Sequence, residues 1–216
     1  MELKSVKIVI IVSSIILAAC GGGVVREVPS KPDPGGKYIF YLHGSIEELE
    51  GATEKYRAAL SAIASGSVTV ISEVRGDTDP NTYAGKLKIQ VNDLISQGVP
   101  AKNITISGYS KGAIIALASA GVIKNTEVNY VLLAGCSDEL NSKYDVDPVK
   151  AVGRILSIYD VDDDKFGTCF GVINESKNLK FKEIELITGK GHKVFRITKD
   201  KFIEQWRDPL LEWADV

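Results

Sequence analysis

The chain has 216 residues, 44% of them hydrophobic, with 26 basic against 28 acidic residues and a net charge of −2. That is enough apolar material for one sizeable core, and a single folded domain is expected. The mixed, slightly acidic balance excludes the basic footprint of a nucleic-acid-binding surface, and the chain carries no repeat or low-complexity tract.

Residues 1–19 stand apart from that core. Lys4 and Lys7 precede an apolar run from Ile8 to Ala19. The run is short of the about 20 residues a membrane-spanning helix needs, and it suits the apolar region of a secretory signal. It closes on Leu17-Ala18-Ala19-Cys20, which resembles the cleavage box of bacterial lipoproteins. The resemblance implies cleavage before Cys20 and a lipid on its thiol. It also implies a membrane-anchored place in the cell envelope, at the outer membrane of a diderm cell because Gly21 follows the cysteine. Residues 20–36, rich in Gly and Pro, read as the lipidated cysteine and a flexible tether, which leaves 37–216 as the domain. Export would place Cys136 and Cys169 as an even pair in an oxidising compartment, where they are either a disulfide or two small buried residues. Neither has the spacing of a metal or redox site.

From Lys37 onward, strand-like and helix-like runs alternate. KYIFYLHG is aromatic and β-branched and ends in a His-Gly turn, and GATEKYRAALSAIAS has helical spacing in Tyr56, Leu60 and Ile63. SVTVISEV is a second strand, Tyr83, Leu87, Val91, Leu94 and Ile95 stripe a second helix, and NITIS is a third strand. The segment AIIALASAGV reads as a helix, NYVLLAG, RILSIYD and KEIELITG as strands, and 136–153 as a polar connection. Phe202, Ile203, Trp206, Leu210 and Trp213 form a last helical stripe, interrupted at Pro209, with both tryptophans in the core. Strands that are continuous apolar runs suit a mainly parallel sheet covered on both faces. The expected fold is a doubly wound α/β domain, and such folds place their sites at the carboxyl ends of the strands.

Reading only those ends gives His43-Gly44, Arg75-Gly76-Asp77, Ser110, Cys136, the aspartates from Asp160 to Asp164, and His192. Both histidines of the chain fall there, and histidine is the side chain best poised as a general base near neutral pH. Arg75 at a strand end would hold the first loop or a substrate carboxylate.

YLHG at 41–44, GYSKG at 108–112, YDVDDD at 159–164 and GKGH at 189–192 together resemble the α/β-hydrolase superfamily, in the chain order serine, acid, histidine. GYSKG is also similar to the G-x-S-K-G elbow of small bacterial serine hydrolases. The resemblance covers residues 37–216, without a cap domain, and implies a serine hydrolase acting on an ester or related acyl bond. In that reading Ser110 is the nucleophile and His192 the base. The acid is Asp163, Asp162 or Asp160. The backbone N–H of Lys111 and that of Gly44 or Ser45 form the oxyanion hole, and His43 is structural. No cofactor, metal or nucleic acid is implied. The partners are a small-molecule acyl substrate and, through Cys20, the membrane. The alternatives are a non-catalytic binding or scaffold lipoprotein on the same fold, or a serine peptidase or thioesterase.

Overall fold

The computed structural model describes residues 23–64, 68–173 and 179–215. Residues 1–22, which hold the expected signal segment, Cys20 and the start of the expected tether, lie outside the described residues. Seven parallel strands form one sheet in the order β1-β3-β2-β4-β5-β6-β7. They are β1 (Val24–Val25), β2 (Lys37–Leu42), β3 (Val68–Ile71), β4 (Ile104–Tyr109), β5 (Asn129–Leu133), β6 (Gly153–Asp160) and β7 (Leu179–Leu186). Helices α1 (Ser45–Glu50), α2 (Glu54–Ile63), α3 (Pro80–Ser96), α4 (Lys111–Ile123), α5 (Asp138–Lys143), α6 (Phe170–Ile173) and α7 (Asp200–Trp213) connect and cover them. On one face α4 packs against β2, β4 and β5 with α3 beside it; on the other α7 lies against β5 and β6 and touches α2. The fold is the expected doubly wound α/β domain.

The central strands β4 and β5 are buried at every residue; β5 accordingly reads as a nearly continuous apolar run, while β4 sets only the small Thr105, Ser107 and Gly108 among its apolar residues. At the edge, β7 alternates in exposure along much of its length, as a strand with one open face should. Helix α4 is buried from Lys111 to Ala120, so its apolar character runs all round rather than along one stripe. Local chemistry starts the flanking helices: Thr53 accepts from Tyr56 N–H at 3.2 Å, and Asp79 accepts from Thr82 N–H at 2.8 Å with Pro80 behind it.

Three elements differ from the sequence expectation. Val24 and Val25 are not tether: they pair in parallel with Val70 and Ile71, because two β-branched residues can complete an open sheet edge even in Gly- and Pro-rich surroundings. The polar stretch at 136–153 contains α5, started by Ser137 accepting from Leu140 N–H. Pro209 does not interrupt α7. The hydrogen bond it forfeits belongs to the exposed Gln205, where solvent substitutes for it, while Ile203, Trp206 and Leu210 stay buried.

The chain reverses direction across the sheet at β2, whose neighbours are β3 on one side and β4 on the other. The crevice beyond the ends of β2 and β4 is therefore the switch point of the fold. It brings His43-Gly44 beside Ser110.

Candidate active site

Ser110 stands between β4 and α4 with φ 56° and ψ −123°, a conformation that costs an L-residue about 1–3 kcal/mol. The chain can make this turn because of the glycines on either side. A Cβ on Gly108 would lie 2.2 Å from Gly112 O, and one on Gly112 would lie 2.1 Å from Leu42 O. Ser110 occupies the N-cap position of α4, yet its hydroxyl caps no backbone N–H. It meets His192 instead, with Oγ 2.9 Å from Nε2.

His192 is the second residue of a 3-10 turn, Gly191–Arg196, after β7. Its Nδ1 lies 2.7 Å from Asp163 Oδ2, so Nδ1 carries the proton and Nε2 offers its lone pair to Ser110. The imidazole is clasped between two rings, Phe166 stacked at 4.8 Å and 10° and Tyr109 at 4.9 Å and 33°. Tyr109 O–H also donates to His192 O at 3.1 Å. These contacts leave the ring one orientation.

Of the competing aspartates, the structure brings Asp163 to the histidine. Its side chain is fully buried and also accepts from Lys165 and Phe166 N–H at 3.0 and 3.1 Å. Burial pushes its carboxyl upward, but the bonds from His192 and the two backbone groups outweigh this and hold it below the usual value. Asp162 is exposed and does not reach the imidazole. Asp160, the last residue of β6, is buried and occupied: it accepts from Asp162 N–H (3.0 Å), Thr188 N–H (3.1 Å), Thr188 O–H and Gly191 N–H (3.2 Å). It ties the loop bearing Asp163 to the loop bearing His192. The Cys136–Cys169 disulfide, present in the structure, pins the far end of the Asp163 loop to the end of β5.

Gly44 faces Ser110: a Cβ there would lie 3.4 Å from Ser110 Cβ and 3.2 Å from the Tyr109 ring, so a glycine lets the backbone approach the serine. Lys111 is turned away from the serine, with Nζ 2.8 Å from Glu48 and 2.7 Å from Asp77. A cation in the first turn opposes the helix dipole; burial lowers its pKa further, but Asp77 and Glu48 more than compensate and hold it above the ordinary value. Glu48 also lies 3.2 Å from Arg75 Nε. Arg75 is buried and holds the first loop, donating its side-chain N–H to His43 O. Trp206 is buried, as expected of core. Phe166 and Glu48 had no sequence motif to announce them beyond their nearness to Asp163 and Gly44, and Tyr109, although within GYSKG, carried no sign that its ring packs on His192.

His43 is 1% exposed. Arg75 N–H donates to its Nε2 at 2.9 Å and its Nδ1 lies 2.8 Å from Gly44 O, which uses both ring nitrogens of a neutral imidazole. Burial, then the Arg75 charge, lowers its pKa to about 4. Between about pH 6.5 and that value the unfolded chain binds a proton that the native protein refuses. Stability is therefore expected to fall with decreasing pH across this window, by on the order of 2–3 kcal/mol in urea titrations. His43→Gln, which keeps an acceptor but cannot titrate, should flatten that dependence.

Beside Ser110 and His192 opens a cavity of about 380 Å³ with Ile114, Leu140, Tyr144 and Phe166 in its walls. Among the described residues no cluster could hold a metal ion, and no helix is long and apolar enough to cross a membrane.

No protein-family model matches the sequence, and no curated protein does so either. Solved structures do. The chain is similar to a phospholipase/carboxylesterase from Dyadobacter fermentans at 11% identity and a TM-score of 0.58, covering 83% of this chain and 92% of that one. It is similar to Est1E from Butyrivibrio proteoclasticus, in a structure with ferulic acid bound, at 13% identity and a TM-score of 0.55 over 86% and 91% of the two chains. A lipase-esterase related protein from Clostridium acetobutylicum shares 16% identity at a TM-score of 0.52, over 84% and 96%. The fold is that of the α/β hydrolases. At such low identities the likeness extends to the fold and no further.

Proposed function

We propose that this protein is a serine hydrolase that cleaves an ester or related acyl bond through an acyl-enzyme on Ser110. The observation that carries the reading is the hydrogen-bonded chain from Asp163 through His192 to Ser110, at 2.7 and 2.9 Å. Ser110 Oγ attacks the acyl carbon while its proton passes to His192 Nε2. The negative charge that develops on the carbonyl oxygen is met at the N-terminus of α4 by the N–H of Lys111, and by the Gly44 or Ser45 N–H from the facing loop. The imidazolium, steadied by Asp163, returns its proton to the departing alcohol, leaving the acyl group on Ser110. A water then gives its proton to Nε2 and attacks the acyl carbon, releasing the acid and restoring the serine.

In this reading the protein is exported and tethered by lipid at Cys20. The Leu17-to-Cys20 motif supports that placement, and so does the Cys136–Cys169 disulfide, a bond typical of oxidising compartments.

A fluorophosphonate probe tests the reading directly. The folded mature protein is expected to become labelled on Ser110, and Ser110→Ala to remain unlabelled. A folded wild type that takes up no label would make this a binding protein on a hydrolase fold.

A further inference from the structure

We infer that the cavity beside Ser110 recognises an ester carrying an anionic group, a carboxylate in the simplest case, and that Lys143 and Lys165 recognise the charge. This rests on the hydrolase reading and adds a substrate class to it.

The charges around the cavity fall into two sets. In the first, Arg75 and Lys111 are matched by Glu48 and Asp77, through contacts of 3.2, 2.8 and 2.7 Å. Lys111 lines the cavity, yet its charge is already neutralised. The second set is Lys143, at the end of α5, and Lys165, two residues past Asp163. Both are exposed and both line the cavity. No carboxylate lines it, and Asp163 is sealed behind His192 with no exposed side-chain surface. Asp162 and Asp164 on the Lys165 loop, and Asp138 and Glu139 on α5, are exposed and outside the lining. Asp77 feels the Lys143 charge, but its close contact is with Lys111.

Lys143 is laid across the cavity wall, with Nζ 5.3 Å from the centre of the Tyr144 ring. The same cavity is walled by Ile114, Leu140, Tyr144 and Phe166, which suits a hydrocarbon spacer. An ester bond at Ser110 with an anion a few carbons away fits both features. A neutral ester would leave two unmatched cations facing it.

The test compares each anionic ester with its methylated, uncharged counterpart. Mono-4-nitrophenyl glutarate places the charge on the acyl side and 4-acetoxybenzoate places it on the leaving group, with uncatalysed rates subtracted. In at least one pair the anionic ester is expected to show a kcat/KM about 5–10-fold higher, the sum of two exposed ionic contacts. That ratio should fall to about 1 in Lys143→Gln/Lys165→Gln. It should also shrink as salt shortens the screening length from about 30 Å at 0.01 M to about 3 Å at 1 M. Preference in either pair that responds to substitution and salt supports the inference. A ratio near 1 in both pairs, or one that survives the double substitution, overturns it while the methylated esters are still turned over. Failure to turn over any ester, together with no fluorophosphonate labelling, overturns the hydrolase reading and this inference with it.

Discussion

Ser110→Ala is expected to lower kcat on a short acyl ester by about 10⁴–10⁶-fold, and Asp163→Asn by about 10³–10⁴-fold, with KM little changed. Asp162→Asn should stay within about threefold, the level of a surface substitution away from the reacting groups. The contrast between the two aspartates carries the physics. Asp163 Oδ2, 2.7 Å from Nδ1, fixes the proton on the far side of the ring from Ser110. An asparagine can present its amide N–H there instead, which stabilises the tautomer whose Nε2 is protonated and cannot accept from the serine. The loss should appear in kcat rather than KM, because no contact with the ground-state substrate changes. Steady-state kinetics on the four proteins measure it. Equal losses at positions 162 and 163 would sink the proposed proton path.

How much of this was legible in the sequence follows from which interactions are local. The apolar runs of β2, β5 and β6 specify a covered sheet, and Gly108-Tyr109-Ser110-Lys111-Gly112 marks a turn between strand and helix, because these signals lie within a few residues of one another. The choice among aspartates was not legible. It depends on Asp160 being consumed by Thr188 and Gly191, whose partners lie 28 and 31 residues away. With Asp160 occupied, its Oδ1 receives Asp162 N–H and its carbonyl receives Asp163 N–H at 3.0 Å. That tight turn leaves Asp162 in solvent and directs Asp163 inward.

The same limit explains Lys111. A lysine after the nucleophile is a cation placed where a helix dipole disfavours it, and nothing nearby in sequence accounts for it. The account lies in Glu48 and Asp77, 63 and 34 residues away. Val24 and Val25 hid for the opposite reason: two strand-forming residues among glycines and prolines are too short to carry a period, and the edge of β3 alone makes them a strand.

Gly112→Ala is expected to destabilise the protein by about 3 kcal/mol or more, at or beyond the upper end for overpacking. The added Cβ would lie 2.1 Å from Leu42 O, 2.6 Å from Leu42 C and 2.7 Å from His43 O. All three neighbours are backbone atoms in or next to β2, so no side chain can rotate away. Relief requires α4 to slide off the end of β2, and that motion separates Ser110 from both Gly44 and His192. Urea unfolding should show the lower midpoint, and fluorophosphonate labelling of whatever folded protein remains should fall with it. Gly85→Ala supplies the control. It sits inside α3 with nothing within 4 Å of the added Cβ, so replacing its loose backbone should stabilise by up to about 1 kcal/mol. If Gly112→Ala behaved like Gly85→Ala, the close approach of β2 and α4 would not be what shapes the serine turn.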